Sequence, residues 1–142
     1  MKMETQNTLP PIEQTQLFNA PIEKVWAAIS TSEGLSAWFM PNNFEPVVGR
    51  EFNIDAGAFG VQPCVVNEIE APKRISFQWG KEWTITIVLE DQGDNRTQCT
   101  LIHAGWRADG VTEFNMPQSV VRDTMGKGWV GIVAKLGSYV EA

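Results

Sequence analysis

The sequence has few of the residues that build disulfide or metal sites. It contains two cysteines, Cys64 and Cys99, and a single histidine, His103. No Cys-x-x-Cys or His-x-x-x-His spacing occurs, so no zinc site is expected. Both cysteines lie in apolar, strand-like segments, and we predict reduced core thiols; a disulfide between them is the alternative. We expect neither a metal nor another cofactor.

Long hydrophobic runs and basic clusters are also missing. The first residues, MKMETQNTLPPIEQ, lack the apolar core of a signal peptide, and no run approaches transmembrane length. The net charge is −6, and no cluster of Lys or Arg opposes it locally. An acidic surface repels phosphate groups, so we expect no nucleic-acid partner and no stable membrane association. Together with the reduced cysteines, these absences predict a cytoplasmic protein.

The composition is that of one globular domain. The chain has 142 residues, of which 43% are hydrophobic, enough for a single core and too apolar for wholesale disorder. Residues 1–11 are polar and end in two prolines, which predicts a disordered leader. Residues 12–142 are predicted to form a single domain.

Two short helices are predicted after a first strand at residues 12–18. In the segment that follows this strand, apolar residues recur at i, i+3, i+4 and i+7, the stripe of an amphipathic helix: Ile22, Val25, Trp26 and Ile29. The second helix is predicted at TSEGLSAWF, where Thr31 or Ser32 can cap its first turn.

The middle of the chain alternates between apolar and polar residues, as half-buried strands do. The segments are REFNIDA, VQPCVVNEIEA, RISFQW, WTITIVLED and TQCTLIHAGW. Polar alternate positions favour an antiparallel sheet with one buried face. A long helix is predicted from a cap at Ser119 to the C-terminus. The chain is therefore expected to have an α+β fold, in which a curved antiparallel sheet buries its face on the terminal helix.

The terminal helix contains four glycines, Gly126, Gly128, Gly131 and Gly137. Each glycine inside a helix costs about 1 kcal/mol relative to alanine, so burial against the sheet has to supply the stability. By helical angle, Gly128 falls beside the buried stripe, whereas Gly126 and Gly137 fall outside it. We therefore expect Gly128 to allow close backbone approach or to leave room for a ligand.

Several segments in order resemble one known family. They are FNAPIEKVWAAISTSEGLSAWF, APKRISFQW, TLIHAGW and the terminal GW…VAKLGSYV. This set is similar to the activator of heat-shock-protein-ninety ATPase homologue-like proteins, which belong to the START and birch-pollen-allergen-like superfamily. The resemblance implies a helix-grip fold with an apolar cavity between the sheet and the C-terminal helix. It also implies a range of functions: binding of lipids and aromatic molecules, cyclase-type chemistry and chaperone co-factor roles.

The predicted inward faces define a candidate ligand cavity. Its expected lining comes from the strands and the last helix: Phe52, Ile54, Phe77, Trp79, Ile85, Ile87, Leu101, His103, Met125, Trp129, Ile132 and Val133. Of the six tryptophans, Trp79 and Trp129 are predicted to line the cavity and Trp26 to pack structurally. The loops at 39–44 and 107–118 are the expected entrance, because loops tolerate movement.

The main functional hypothesis is non-enzymatic binding of a hydrophobic small molecule or lipid. One alternative is a chaperone-associated, stress-response or protein-interaction role. The eukaryotic activator carries a separate N-terminal chaperone-binding domain, which residues 1–11 are too short to form, so we do not expect the activator role to transfer by name. A second alternative is a cyclase- or hydrolase-type enzyme using His103 or Glu68.

No catalytic residue is predicted from the sequence itself. His103 lacks an evident nucleophile and orienting acid, so we interpret it as a strand-end histidine that is bonded to the backbone or exposed. Glu68 and Glu70 are two residues apart on a strand and are typical of the solvated face of a sheet.

Overall fold

The computed structural model describes residues 9–57, 60–80, 82–106 and 118–142. Within these ranges the elements follow in the order β1 (Ile12–Phe18), α1 (Ile22–Ile29), α2 (Ser32–Trp38), β2 (Glu51–Asp55), β3 (Val61–Glu70), β4 (Arg74–Trp79), β5 (Trp83–Gly93), β6 (Arg96–Ala104) and α3 (Gln118–Glu141). This order confirms the predicted α+β arrangement, with two short helices after the first strand.

The six strands form one sheet in the order β1-β6-β5-β4-β3-β2, and every neighbouring pair is antiparallel. In the centre of the sheet, Phe77 lies opposite Ile85, and Ile85 lies opposite His103. All three are buried. Because strand side chains alternate between faces, this row marks the concave face predicted from the sequence.

The two short helices pack against each other through backbone atoms. Thr31 caps α2 by accepting a hydrogen bond from the Gly34 N–H over 3.0 Å. A Cβ on Gly34 would lie 2.5 Å from the Ala28 carbonyl oxygen in α1, so only glycine fits this contact. The same carbonyl accepts the indole N–H of Trp38 over 2.8 Å. This contact fixes the position at which the chain leaves α2.

Helix α3 lies across the concave face of the sheet. With the half-buried Met125 between the first two, its buried residues recur at intervals of three and four, as a helical stripe requires: Val121, Trp129, Val133, Leu136 and Val140. Its C-terminal end is tied to the start of α1, since Glu141 Oε2 accepts the Asn19 N–H over 2.9 Å and Lys24 Nζ donates to the Ala142 carbonyl over 2.9 Å. The helix-grip fold is confirmed.

Two of the four glycines of α3, Gly128 and Gly137, do not lie as the sequence predicted. Gly128 is exposed, and a Cβ added there would meet nothing within 4 Å. Gly137 is buried, and its Cβ would meet the ring of Phe18 in β1. The prediction of close backbone approach at Gly128 is therefore wrong, and so is the placement of Gly137 outside the buried stripe, because Gly137 is on the side of α3 that faces the sheet. Ser119 lies inside α3 rather than at its cap.

Both cysteines are buried and free, in agreement with the predicted core positions and without the alternative disulfide. Residues 1–8 of the predicted leader lie outside the described part of the chain. Its last residues are held by hydrogen bonds: the Leu9 N–H donates to the Trp106 carbonyl over 3.1 Å. The Arg122 Nε–H of α3 donates to the Pro10 carbonyl over 2.8 Å.

Candidate functional site

A pocket of about 320 Å³ lies between the sheet and the N-terminal half of α3. It is lined by the end of α2, the end of the β2 segment, the β4 and β5 strands and α3: Phe39, Met40, Ala56, Trp79, Trp83, Val121, Thr124, Met125, Trp129 and Ile132. Among these described lining residues, Thr124 is the only polar one and none is charged. Thr124 is also exposed, so it marks the place where the pocket meets solvent.

Aromatic rings form much of the wall. The Phe39 ring stacks on the Trp129 indole, with centroids 5.6 Å apart and planes inclined by 18°. Trp79 meets Phe39 edge-on at 5.9 Å, and Trp83 meets Trp79 edge-on at 5.3 Å. Such offset-stacked and edge-to-face contacts are favourable arrangements of ring quadrupoles. The wall therefore joins the end of α2, the sheet and α3 through direct ring contacts.

His103 lies directly behind the Trp129 side of this wall. The Trp129 Nε1–H donates a hydrogen bond to His103 Nδ1 over 2.9 Å. Because Nδ1 accepts, it carries no proton, and the neutral imidazole holds its proton on Nε2. Burial lowers the pKa of His103 from 6.5 to about 3, so the ring is neutral near physiological pH.

Four indole rings surround the imidazole. Trp79 stacks on it at 5.7 Å, while Trp83, Trp106 and Trp129 contact it at 4.9, 4.6 and 5.8 Å between centroids. Trp106 Nε1–H also donates to the His103 carbonyl over 3.0 Å. His103 Nε2 and Trp79 Nε1 are buried without a hydrogen-bond partner among the described residues. The interpretation of His103 as a strand-end residue is correct, since it is the second-last residue of β6. Its ring, however, is enclosed and bonded to the Trp129 side chain, rather than bonded to the backbone or exposed.

The acidic candidates lie away from the pocket. Glu68 is exposed, and its Oε1 accepts a hydrogen bond from Arg74 Nε over 2.9 Å. Glu70 is exposed as well, in agreement with the predicted solvated face. Neither residue lines the pocket. Across the described ranges, no three His, Cys, Asp or Glu residues are grouped closely enough to hold a metal ion.

A comparison with models of protein families identifies the family of this chain. The family model described as activator of Hsp90 ATPase homolog 1-like protein, AHSA1, matches residues 19–141. The chain belongs to this family. The match spans every described element from α1 to α3 and confirms the resemblance drawn from the sequence. No curated protein matches the chain.

Solved structures agree with membership of the AHSA1 family. Bacillus halodurans protein BH1534 is 40% identical, with a TM-score of 0.86 over 95% of this chain and 99% of that one. Mesorhizobium loti protein MLL2253 is 26% identical, with a TM-score of 0.79 over 90% and 94% of the two chains. The Aha1 dimer from Colwellia psychrerythraea is 20% identical, with a TM-score of 0.75 over 94% and 97%, and shows the fold alone.

The AHSA1-type fold supports a ligand-binding domain in general terms. Of the twelve residues predicted from the sequence, four line the pocket: Trp79, Met125, Trp129 and Ile132. The other eight are buried in the core next to it: Phe52, Ile54, Phe77, Ile85, Ile87, Leu101, His103 and Val133. Their side chains pack within the core and do not border the open space of this pocket. A role of the twelve in binding stays a prediction.

Six of the residues that line the pocket were not among the twelve predicted residues. For three of these six, the sequence contains a pattern or a predicted loop that could have identified them. Val121 lies four residues before Met125 and eight before Trp129, so extending the helical stripe backwards finds it. Phe39 and Met40 fall within the predicted entrance loop at 39–44. The other predicted entrance, 107–118, lies outside the described residues except for the backbone of its last residue.

No helix in the described ranges is both long and apolar enough to cross a membrane.

Proposed function

We propose that this AHSA1-family protein binds an uncharged, hydrophobic small molecule in the pocket between the sheet and α3. The observation that carries the proposal is the lining, in which nine of the ten described residues are apolar and none is charged. Binding pockets for small molecules have this character, with few polar groups. A charged ligand would lose its hydration there without gaining a partner.

The size and shape of the pocket further restrict the kind of ligand that it can bind. A volume of about 320 Å³ is at the lower end of the range for small-molecule sites, which favours a compact ligand over a long lipid chain. The ring faces of Phe39, Trp79, Trp83 and Trp129 offer stacking and edge contacts to a flat molecule. Met40 and Met125 add adaptable thioethers, which fit irregular apolar shapes and contact aromatic rings favourably.

We further propose that the function is non-enzymatic and cytoplasmic. His103 is enclosed by indoles, and its lowered pKa of about 3 makes it a weak base at neutral pH. Glu68 is exposed and bonded to Arg74, away from the pocket. The two buried free thiols fit a reducing compartment.

A matched pair of dyes tests the proposal. N-phenyl-1-naphthylamine and 8-anilino-1-naphthalenesulfonate share one aromatic skeleton and differ in the sulfonate. We expect the uncharged dye to bind with enhanced fluorescence and the sulfonate to bind about tenfold more weakly, because burying an unpaired charge is unfavourable. Equal affinities, or no binding of either dye, would contradict the proposal. Displacement of the bound dye by an equal or lower concentration of dodecanoate, which is charged and has a long chain, would contradict the preference for an uncharged, compact ligand.

A matched pair of variants tests the location. Met125→Glu introduces a carboxylate into the pocket wall, whereas Val130→Glu introduces the same group at an exposed position of the same helix. Circular dichroism should show that both variants fold, since neither position is fully buried. We expect Met125→Glu to lower the affinity for N-phenyl-1-naphthylamine about tenfold or more and Val130→Glu to leave it unchanged. Equal losses would place the dye elsewhere.

A second candidate is a chaperone-associated role in stress response. The observation that favours it is the family description itself, which names an activator of Hsp90 ATPase. A structural neighbour, Aha1 from Colwellia psychrerythraea, is described as a dimer, so a second copy is also a candidate partner. Addition of the purified protein to the ATPase assay of an Hsp90-type chaperone tests the first idea. An unchanged rate of ATP hydrolysis at saturating protein would remove it.

A further inference from the structure

We propose that His103 is a positioning residue of the pocket: its Nδ1 holds the Trp129 indole in the orientation that forms the wall and stacks on Phe39. Its effect on ligand affinity rests on the proposed function, whereas its effect on Trp129 does not. His103 itself does not line the pocket, so it acts on a ligand only through Trp129.

The hydrogen bond supplies a directional constraint on Trp129 in apolar surroundings. Trp129 is 1% exposed, and its side chain has a single polar atom, the Nε1–H. That donor reaches His103 Nδ1 over 2.9 Å. A buried donor without a partner is unfavourable, so orientations of the indole that turn Nε1–H away from His103 are penalised. Apolar packing alone carries no comparable directional preference.

The acceptor of this hydrogen bond, the His103 ring, is itself fixed in position by its surroundings. His103 lies in β6, paired in register with Ile12 of β1 and Ile85 of β5. Its ring is enclosed by Trp79, Trp83 and Trp106, and Trp106 Nε1–H also bonds to the His103 carbonyl. An acceptor fixed on a strand that is paired on both sides can therefore set the position of a side chain on the covering helix. The stacked contact of Trp129 with Phe39 extends that constraint to the end of α2.

The alternative is that His103 merely fills space among the indoles. Asparagine and leucine separate the two roles, because their side chains have the same branched shape and the same number of heavy atoms, fewer than histidine has. In His103→Asn, the side-chain amide oxygen can occupy the place of Nδ1 and accept the indole N–H. His103→Leu introduces a side chain of the same branched shape that offers no acceptor. A space-filling role predicts the same result for both variants.

The experiment follows the Trp129 indole N–H by proton–nitrogen correlation NMR, with the signal assigned by its loss in Trp129→Phe. We expect His103→Asn to keep a slowly exchanging signal and the wild-type affinity for N-phenyl-1-naphthylamine within a few-fold. In His103→Leu, the indole N–H should exchange with solvent at least about tenfold faster and the dye should bind about tenfold more weakly. Identical behaviour of the two variants, or an unchanged Trp129 signal in His103→Leu, would overturn the proposal.

Two features keep the result interpretable. If the wild-type protein binds no dye, the proposed function fails, but the Trp129 signal still decides the role of His103. If both variants fail to fold, the ring nitrogen shifts of His103 in the wild-type protein provide the test without a substitution. We expect an unprotonated Nδ1 and a protonated Nε2; a proton on Nδ1 would contradict the hydrogen bond and the proposal.

Discussion

Gly137 of α3 packs directly against the ring of Phe18 in β1. A Cβ at this position would lie 3.0 Å from Phe18 Cε1 and 2.8 Å from Gln16 Nε2. Phe18 is fully buried and has no room to move, whereas the end of the Gln16 side chain can shift. The contact sets how closely α3 approaches the edge strand β1. It also gives a steric reason for the presence of glycine at position 137.

Alanine at two glycines of α3 should have opposite effects on stability. Gly137→Ala is expected to lower the free energy of unfolding by about 1 kcal/mol, because overpacking against Phe18 exceeds the gain in helix propensity. Gly128→Ala should raise it by up to about 1 kcal/mol, since nothing lies within 4 Å of the added Cβ. Urea unfolding measures both. A Gly137→Ala protein as stable as Gly128→Ala would show that the helix shifts freely at this crossing.

Gly105, which directly follows β6, should tolerate replacement less well than Gly49. Its φ is +101°, and a Cβ would overlap the Glu82 carbonyl oxygen. Gly105→Ala is expected to destabilise the protein by about 3 kcal/mol or more, the sum of backbone strain and overlap. Gly49→Ala is the control, because Gly49 has a φ of +88° with nothing within 4 Å, and it should cost only about 1 kcal/mol. Equal losses in urea unfolding would contradict the overlap.

The stability of the protein should fall as the pH drops from 6.5 toward 3. Burial lowers the pKa of His103 to about 3, so between these values the unfolded chain binds a proton that the folded chain does not. Above pH 6.5 the titration of this group does not reduce the free energy of unfolding. Below pH 6.5 the free energy of unfolding declines by about 1.4 kcal/mol per pH unit, or by about 2 kcal/mol at pH 5. The neighbouring indoles do not titrate.

Substitution of the only histidine isolates this effect. In His103→Asn the carboxylates still titrate, so the difference in unfolding free energy between wild type and variant should shrink from pH 7 to pH 5 by about 2 kcal/mol. Urea unfolding at pH 7, 6 and 5 supplies the comparison. A difference that stays constant over this range would show that the imidazole has the same pKa in the folded protein as in the unfolded chain.

The two thiols should be inert in the folded protein. Burial raises the pKa of Cys64 and of Cys99 to about 12, so almost no thiolate is present at pH 8. With 5,5′-dithiobis(2-nitrobenzoate) at pH 8, we expect no rapid reaction in buffer and two rapid equivalents in urea. A fast equivalent in buffer would indicate that one cysteine is reached without global unfolding.

Local patterns in the sequence determined the elements and the direction in which they face. Alternation placed Phe77, Ile85 and Leu101 on the concave side, and all are buried there, because a strand turns successive side chains to opposite faces whatever its surroundings. The helical stripe through Trp129 and Leu136 likewise faces the sheet, since its period comes from helix geometry.

Only the tertiary structure decided which inward residues fill the core and which border open space. That division depends on how α3 crosses the sheet, and the crossing is set by contacts such as Gly137 with Phe18, which are far apart in the sequence. The same holds for His103, whose bond to Trp129 joins residues 26 positions apart. A sequence period specifies the face of an element, but the partner across that face follows from the packing of all the elements together.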